Sequence, residues 1–180
     1  MTKDDIFASV GLIVIESQSV ETLIDLILTY VLQDGSPLTY ERLLDIKKTH
    51  RRKTLGSFFK QMKDRAEYSA GLDEVLDRFL ESRNKLVHRF REVEGHNLES
   101  SDDIAKVHRF LNELHKDTSH LMVFFAAWIV AWQKQTGIGK GSLEQVMPPE
   151  GETILRDILF MSEFVEQHVF QKEALGKRRE

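Results

Sequence analysis

The chain has 180 residues, enough for one domain with a substantial core and too few for two of ordinary size, so a single domain over 1–180 is expected. Its 41% hydrophobic and 30% charged residues are those of a globular chain, and abundant helix formers with only ten Gly and three Pro favour an all-α fold. The net charge of −4 excludes a wholesale basic nucleic-acid binder, and the lack of cysteine excludes disulfide scaffolds, thiol nucleophiles and cysteine zinc sites.

The first residues, MTKDDIFAS, carry two early aspartates and no signal-peptide charge layout, which points to a cytoplasmic protein. From Asp4 to about Leu32, Ile6, Val10, Ile13, Val20, Ile24, Ile27 and Val31 trace one face at helical spacing, and QDGSPL ends the helix with turn residues. A second helix is predicted after Thr39 as N-cap, through YERLLDIKKTH, and a third from Thr54 through TLGSFFKQMKDRAEY. Between Glu41 and Arg65 stand nine Lys and Arg against three acids, a local +6 on an acidic chain. Such a patch suits polyanion binding or ordinary solvated helix surface.

A fourth helix is predicted from about Leu72 to Arg91, with Leu72, Leu76, Phe79, Leu80, Arg83, Leu86, Val87 and Phe90 along one side. EVEGHNLESS reads as a polar loop, with Ser101 as N-cap of a fifth helix. The period of that helix runs through Ile104, Val107, Leu111 and Leu114, and it continues to Gln135 or breaks near KDTS. Its apolar run LMVFFAAWIVAW, twelve residues, is too short for a bilayer that needs about 20, so it is a buried segment and no membrane partner is expected. GIGKGSLEQVMPPEG reads as a loop, because a phosphate-binding loop needs Gly where Lys134 stands and Ser or Thr where Gly141 stands. A last helix from about Glu152 aligns Ile154, Ile158, Met161, Val165 and Val169 before the charged tail KEALGKRRE. No segment alternates like a strand, and the pattern as a whole predicts an up-and-down bundle of five to six helices.

The tetrapeptide VHRF occurs twice, at Val87–Phe90 and at Val107–Phe110. His96, Asp102, Asp103 and His108 make a loose cluster around a turn that reads as a solvated acidic loop, and no metal is assigned to it. Arg and His pairs at motif-like spacing also recur. Arg91 and His96 are separated by a predicted helix end, and Arg109 with His115 has an apolar Phe110 after the arginine. Arg83 and His88 alone share a well-patterned helix, with the amide Asn84 next to the arginine. Five residues before His108 stands Asp103, so the second VHRF copy lacks the cation that precedes the first and reads as helix surface and packing.

RNKLVHRF, at 83–90, resembles the signature of HEPN domains, small helical bundles whose motif is an Arg, a polar residue such as Asn, and a His four to six residues after the Arg. TLGSFFKQM and LDRFLESRN are similar to segments of HEPN relatives of bacterial defence or toxin type. The resemblance implies a HEPN-like fold and metal-independent endoribonuclease activity without a cofactor, with Arg83, Asn84 and His88 as catalytic residues. It further implies a homodimer whose two motifs converge at a twofold axis. A toxin or antiviral role, with an antitoxin or activating partner, belongs to the same implication. Where several toxins carry Tyr two residues after the His, this chain has Phe90, so modification of a hydroxyl there is not expected.

The chemistry of the residues agrees with that implication. Asn84 and His88, four apart, share a helix face, while Arg83 lies about 140° round from His88 and must reach across. Metal-free RNA scission needs a base for the 2′-hydroxyl proton and a cation for the phosphorane, and histidine and arginine suit these tasks. Lys85 and Arg89, with Lys47, Lys48, Arg51 and Arg52 of the basic stretch, are expected to hold the RNA backbone. The competing readings are solvated surface for these cations, and a helix-surface ion network or a packed core histidine for Arg83 and His88. A non-catalytic HEPN-like module that binds RNA or protein, and a purely structural helical adaptor, are the alternative functions.

Overall fold

The computed structural model describes residues 2–33, 35–137 and 152–171. The predicted loop after Gly137 and the charged tail from 172 lie outside these residues, as does Asp34 in the first turn. Among the described residues are six α-helices: α1 (Lys3–Leu26), α2 (Tyr40–His50), α3 (Leu55–Arg65), α4 (Ala70–His88), α5 (Ser101–Thr136) and α6 (Glu152–His168). The all-α class read from composition is what the chain adopts. A two-residue antiparallel ladder joins β1 (Ala66–Glu67) to β2 (Phe170–Gln171), pairing Ala66 with Gln171 and Glu67 with Phe170. Two residues are too few for an alternating pattern, which is why the sequence carries no strand signal there.

The helix ends follow local side-chain chemistry. Thr39 and Thr54 cap α2 and α3, accepting from the backbone N–H of Arg42 and Ser57 at 3.3 Å each. At α5 the cap is Ser100, one residue earlier than Ser101. Its hydroxyl accepts from the Asp103 N–H at 3.1 Å, while the Asp103 carboxylate accepts from the Ser100 N–H at 3.0 Å. This reciprocal box holds the Asp103 carboxyl below the usual carboxylate range, chiefly through the Ser100 side-chain and backbone hydrogen bonds. α5 then runs unbroken for 36 residues. No Gly or Pro interrupts it, and at the suspected break Thr118 is buried with its hydroxyl returned to the Leu114 carbonyl at 2.7 Å. Gly137, at φ 67°, ends it in the left-handed conformation that glycine adopts freely.

Two compact units divide the chain. The first comprises 1–21 and 71–122, the second 22–70 and 123–180. In the first unit Ile6, Ile13 and Val20 of α1, Leu76, Phe79 and Leu86 of α4, and Val107, Leu111, Leu114 and Leu121 of α5 form the core. Val87, expected on the buried side of α4, is 42% exposed while Leu86 beside it is buried, so the packed face there is narrower than the predicted stripe; the helix itself ends at His88, before a 3₁₀ turn, Phe90–Glu92. The predicted continuation of α4 to Arg91 is corrected accordingly. Within this unit Arg78 of α4 grips the buried Asp117 of α5 with Nε and one terminal nitrogen, at 2.7 and 2.6 Å. The loop between α4 and α5 is tight against α5. Gly95 has φ 81°, and a Cβ there would lie 2.5 Å from the Asp103 carbonyl oxygen.

In the second unit the apolar run of α5 packs inward as expected, with Phe125, Ala127, Trp128 and Ala131 buried. Phe58, Phe59 and Met62 of α3 and Ile158 and Val165 of α6 are also buried, whereas Ile154, predicted on the same face of α6, is exposed. No helix among the described residues is long and apolar enough to cross a membrane. α1 is followed by one π-helical turn, Ile27–Val31, closed by the Leu32 N–H donating to the Ile27 carbonyl at 2.8 Å. α2 buries no residue of its own, and its last residue, His50, holds it by a hydrogen bond from the ring to Asp25 at the end of α1.

Arg78→Ala is expected to cost about 2–3 kcal/mol in urea unfolding, because it strands a buried carboxylate without its cation. Gly95→Ala is expected to cost about 2 kcal/mol or more, from positive φ together with a backbone clash, and a thermal melt checks it. A melt unchanged from wild type would mean that the loop moves aside at no cost.

Candidate functional site

Arg83, Asn84 and His88 occupy the last two turns of α4, in the first unit. His88 is the final helical residue. Its ring is exposed and has no hydrogen-bond or ion-pair partner among the described residues. Helix geometry places Asn84 one turn below it on the same face. Arg83 is more confined, with its side chain 19% exposed. One terminal nitrogen donates to Glu21 of α1 at 2.6 Å, the other reaches Asn84 Oδ1 at 3.5 Å, and the buried Nε has no partner among the described residues. The guanidinium is thus anchored by a carboxylate from a second helix while the imidazole beyond it stays open to solvent.

The flanking cations form a network with acids. Arg89, just past the helix, pairs with Glu81 at 3.0 Å and with Glu92 at 3.2 Å, and Lys85 approaches Glu81 at 3.5 Å. The hydrogen bond from Arg89, and then the charges of Arg89 and Lys85, hold the Glu81 carboxyl below its ordinary range. These pairs are exposed, so each contributes little. Lys47, Lys48, Arg51 and Arg52 stand differently. They belong to the second unit, at the end of α2 and just beyond it, where all four are exposed and none has a side-chain partner among the described residues.

The other histidines singled out by spacing are tied into local structure. His115 bonds Glu16 at 2.7 Å, His108 meets the Asn112 amide at 3.1 Å, and His96 lies 3.2 Å from the Val93 carbonyl. In the second VHRF copy Val107 is fully buried and Arg109 is exposed, the arrangement of an ordinary helix with one packed face. The loose acidic cluster is dispersed as well. Asp102 and Glu94 bind Lys106 at 2.9 Å each, and Asp103 serves the cap.

Spacing did not reveal the pairing of His50 with Asp25, which stand 25 residues apart on different helices. KKTHRRK shows only that a histidine sits among cations, and nothing local points to α1 as its partner.

No protein-family model matches the chain, and neither a curated protein nor a solved structure matches it.

Arg89→Ala is expected to raise the Glu81 pKa back toward the ordinary carboxylate range. The folded value is depressed, so the stabilising effect of the pair is present above the unfolded pKa and is lost as pH falls through the folded one. A carbon-13 NMR titration of the Glu81 carboxyl reads the change directly, and an unmoved titration would sink the assignment.

Proposed function

We propose that the chain is a HEPN-like, metal-independent endoribonuclease acting in the cytoplasm as a toxin or antiviral effector. The observation that supports it most is the placing of His88, open and without a partner among the described residues, at the end of the helix that also holds Arg83 and Asn84. His88 takes the proton of the ribose 2′-hydroxyl, and the oxygen attacks the adjacent phosphorus. Arg83 stabilises the charge that gathers on the phosphorane oxygens, and Asn84 helps to orient its guanidinium. The 5′-oxygen departs and takes up a proton, leaving a 2′,3′-cyclic phosphate and a 5′-hydroxyl end.

One imidazole cannot be base and acid at the same instant, so the reading includes a homodimer in which the second copy supplies its own Arg83 and His88. Phe7, Leu12 and Ile15, exposed on α1 in the same unit as α4, supply apolar surface for an isologous partner. Lys85 and Arg89, released from Glu81, and Lys47, Lys48, Arg51 and Arg52 contact RNA phosphates, and either an antitoxin restrains the activity or an activating partner triggers it.

The ion pair of Arg83 with Glu21 favours a second reading, a non-catalytic HEPN-like module that binds RNA or protein and leaves it whole.

Arg83→Ala and His88→Ala are each expected to lower RNA cleavage at least about 100-fold while circular dichroism and melting stay near wild type. A chelator should leave cleavage unchanged. Full activity in either variant, or strict metal dependence, overturns the nuclease. A gel shift of intact RNA by the wild-type protein establishes the binding module instead.

A further inference from the structure

The second unit contains a cleft of about 260 Å³ where the π-helical turn after α1 meets α2 and α3. Its polar lining includes Arg42, His50, Lys53, Gln61 and Arg65, and among the described lining residues Asp45 is the one carboxylate. Two of these cations are held by neutral acceptors. Lys53 donates to the Gln61 side-chain oxygen at 2.7 Å, and Arg65 donates to the Leu32 carbonyl at 3.1 Å. Neither forms an ion pair with a described residue. Arg42 donates to the backbone carbonyls of Ser36 and Pro37.

Half-buried cations without a counter-charge are costly, and neutral acceptors offset only part of that cost. An anion entering the cleft supplies the missing charge. His50, 10% exposed, is held through Nδ1 by Asp25 and braced edge-on by Phe58 at 5.2 Å, so its ring is fixed while Nε2 has no partner among the described residues. A fork-shaped guanidinium and a compact ammonium suit a tetrahedral oxyanion, and the fixed ring offers it Nε2–H when it is an imidazolium paired with Asp25. The volume exceeds what one phosphate fills and lies just below the roughly 300–1,000 Å³ of ordinary small-molecule pockets. Leu28 and Ile46 add apolar lining for an organic portion.

We propose that this cleft is a binding site for a phosphate monoester the size of a mononucleotide, with Lys53 and Arg65 on the phosphate and His50 beside them. The ligand is either a free 5′-mononucleotide or the 5′-phosphorylated end of an RNA strand. The cleft belongs to the second unit and Arg83 and His88 to the first, and its test does not depend on RNA cleavage.

Calorimetric titration of the full chain with adenosine 5′-monophosphate, inorganic phosphate and adenosine tests it. Expected are binding of the monophosphate at or below about 1 mM and at least tenfold weaker binding of adenosine. Lys53→Gln and Arg65→Gln should each weaken the monophosphate at least about tenfold. Arg65 also braces the end of the π turn, so if its variant loses the fold, Lys53→Gln and the comparison with adenosine decide. Trinucleotides with 5′-phosphate and 5′-hydroxyl ends separate the two sources. A preference for the phosphorylated end that exceeds the affinity for the mononucleotide assigns the RNA terminus, and equal or weaker binding assigns the free nucleotide. No heat with either phosphorylated ligand, adenosine bound as tightly as its monophosphate, or a folded Lys53→Gln that binds like wild type overturns the site.

Discussion

Asp117, buried in α5, needs a cation, and Arg78 of α4 supplies it in a two-pronged grip. A carboxylate that has lost its water cannot slide along a neighbouring helix without losing its partner, so the pair fixes how far α4 is advanced along α5. The end of α4 follows from that. Counting from Arg78, Arg83 is five residues on and His88 ten, about 15 Å at the helical rise. The same axial setting places Arg83 opposite Glu21 of α1, so three helices of the first unit share one reference point.

The charge arrangement differs between the units. In the first, Arg83, Lys85, Arg89 and Lys106 each meet a carboxylate, and nine Lys and Arg stand against fifteen Asp and Glu. In the second, Lys47, Lys48, Arg51 and Arg52 face solvent, and Lys53 and Arg65 rest on uncharged oxygens. Net charge conceals this contrast, since −4 averages over an acidic first unit and a slightly basic second one.

Features carried by a few neighbouring residues were legible in the sequence. Thr39 and Thr54 announced their helices because a cap is a local bond between a side chain and an N–H two or three residues on. The burial of Phe125 and Trp128 followed from an apolar run too short for a membrane. At α5 the cap was displaced by one residue, since Ser100 and Ser101 are adjacent serines and only the acid at 103 separates them. Val87 and Ile154 lay on the predicted stripes yet are exposed, because spacing does not say how wide the packed face is or how far along the helix it extends. In the candidate site, the shared helix of Arg83, Asn84 and His88 was readable from spacing. The Glu21 and Asp25 partnerships were not, because they join helices far apart in the chain.

The pairing of Glu21 with Arg83 makes any anionic guest of that guanidinium a substitution and not an addition. A carboxylate already provides one negative charge there at very high effective concentration, since both groups are held by packed helices. A small monovalent anion that takes its place gains almost nothing, because it replaces like with like and gives up its own hydration. A chain of linked phosphates does better, since each neighbouring group that finds a cation adds to the exchange. Glu21 thus shields this arginine from chloride and acetate, and only a guest with several linked charges, each finding its own cation, would offset the loss of that carboxylate.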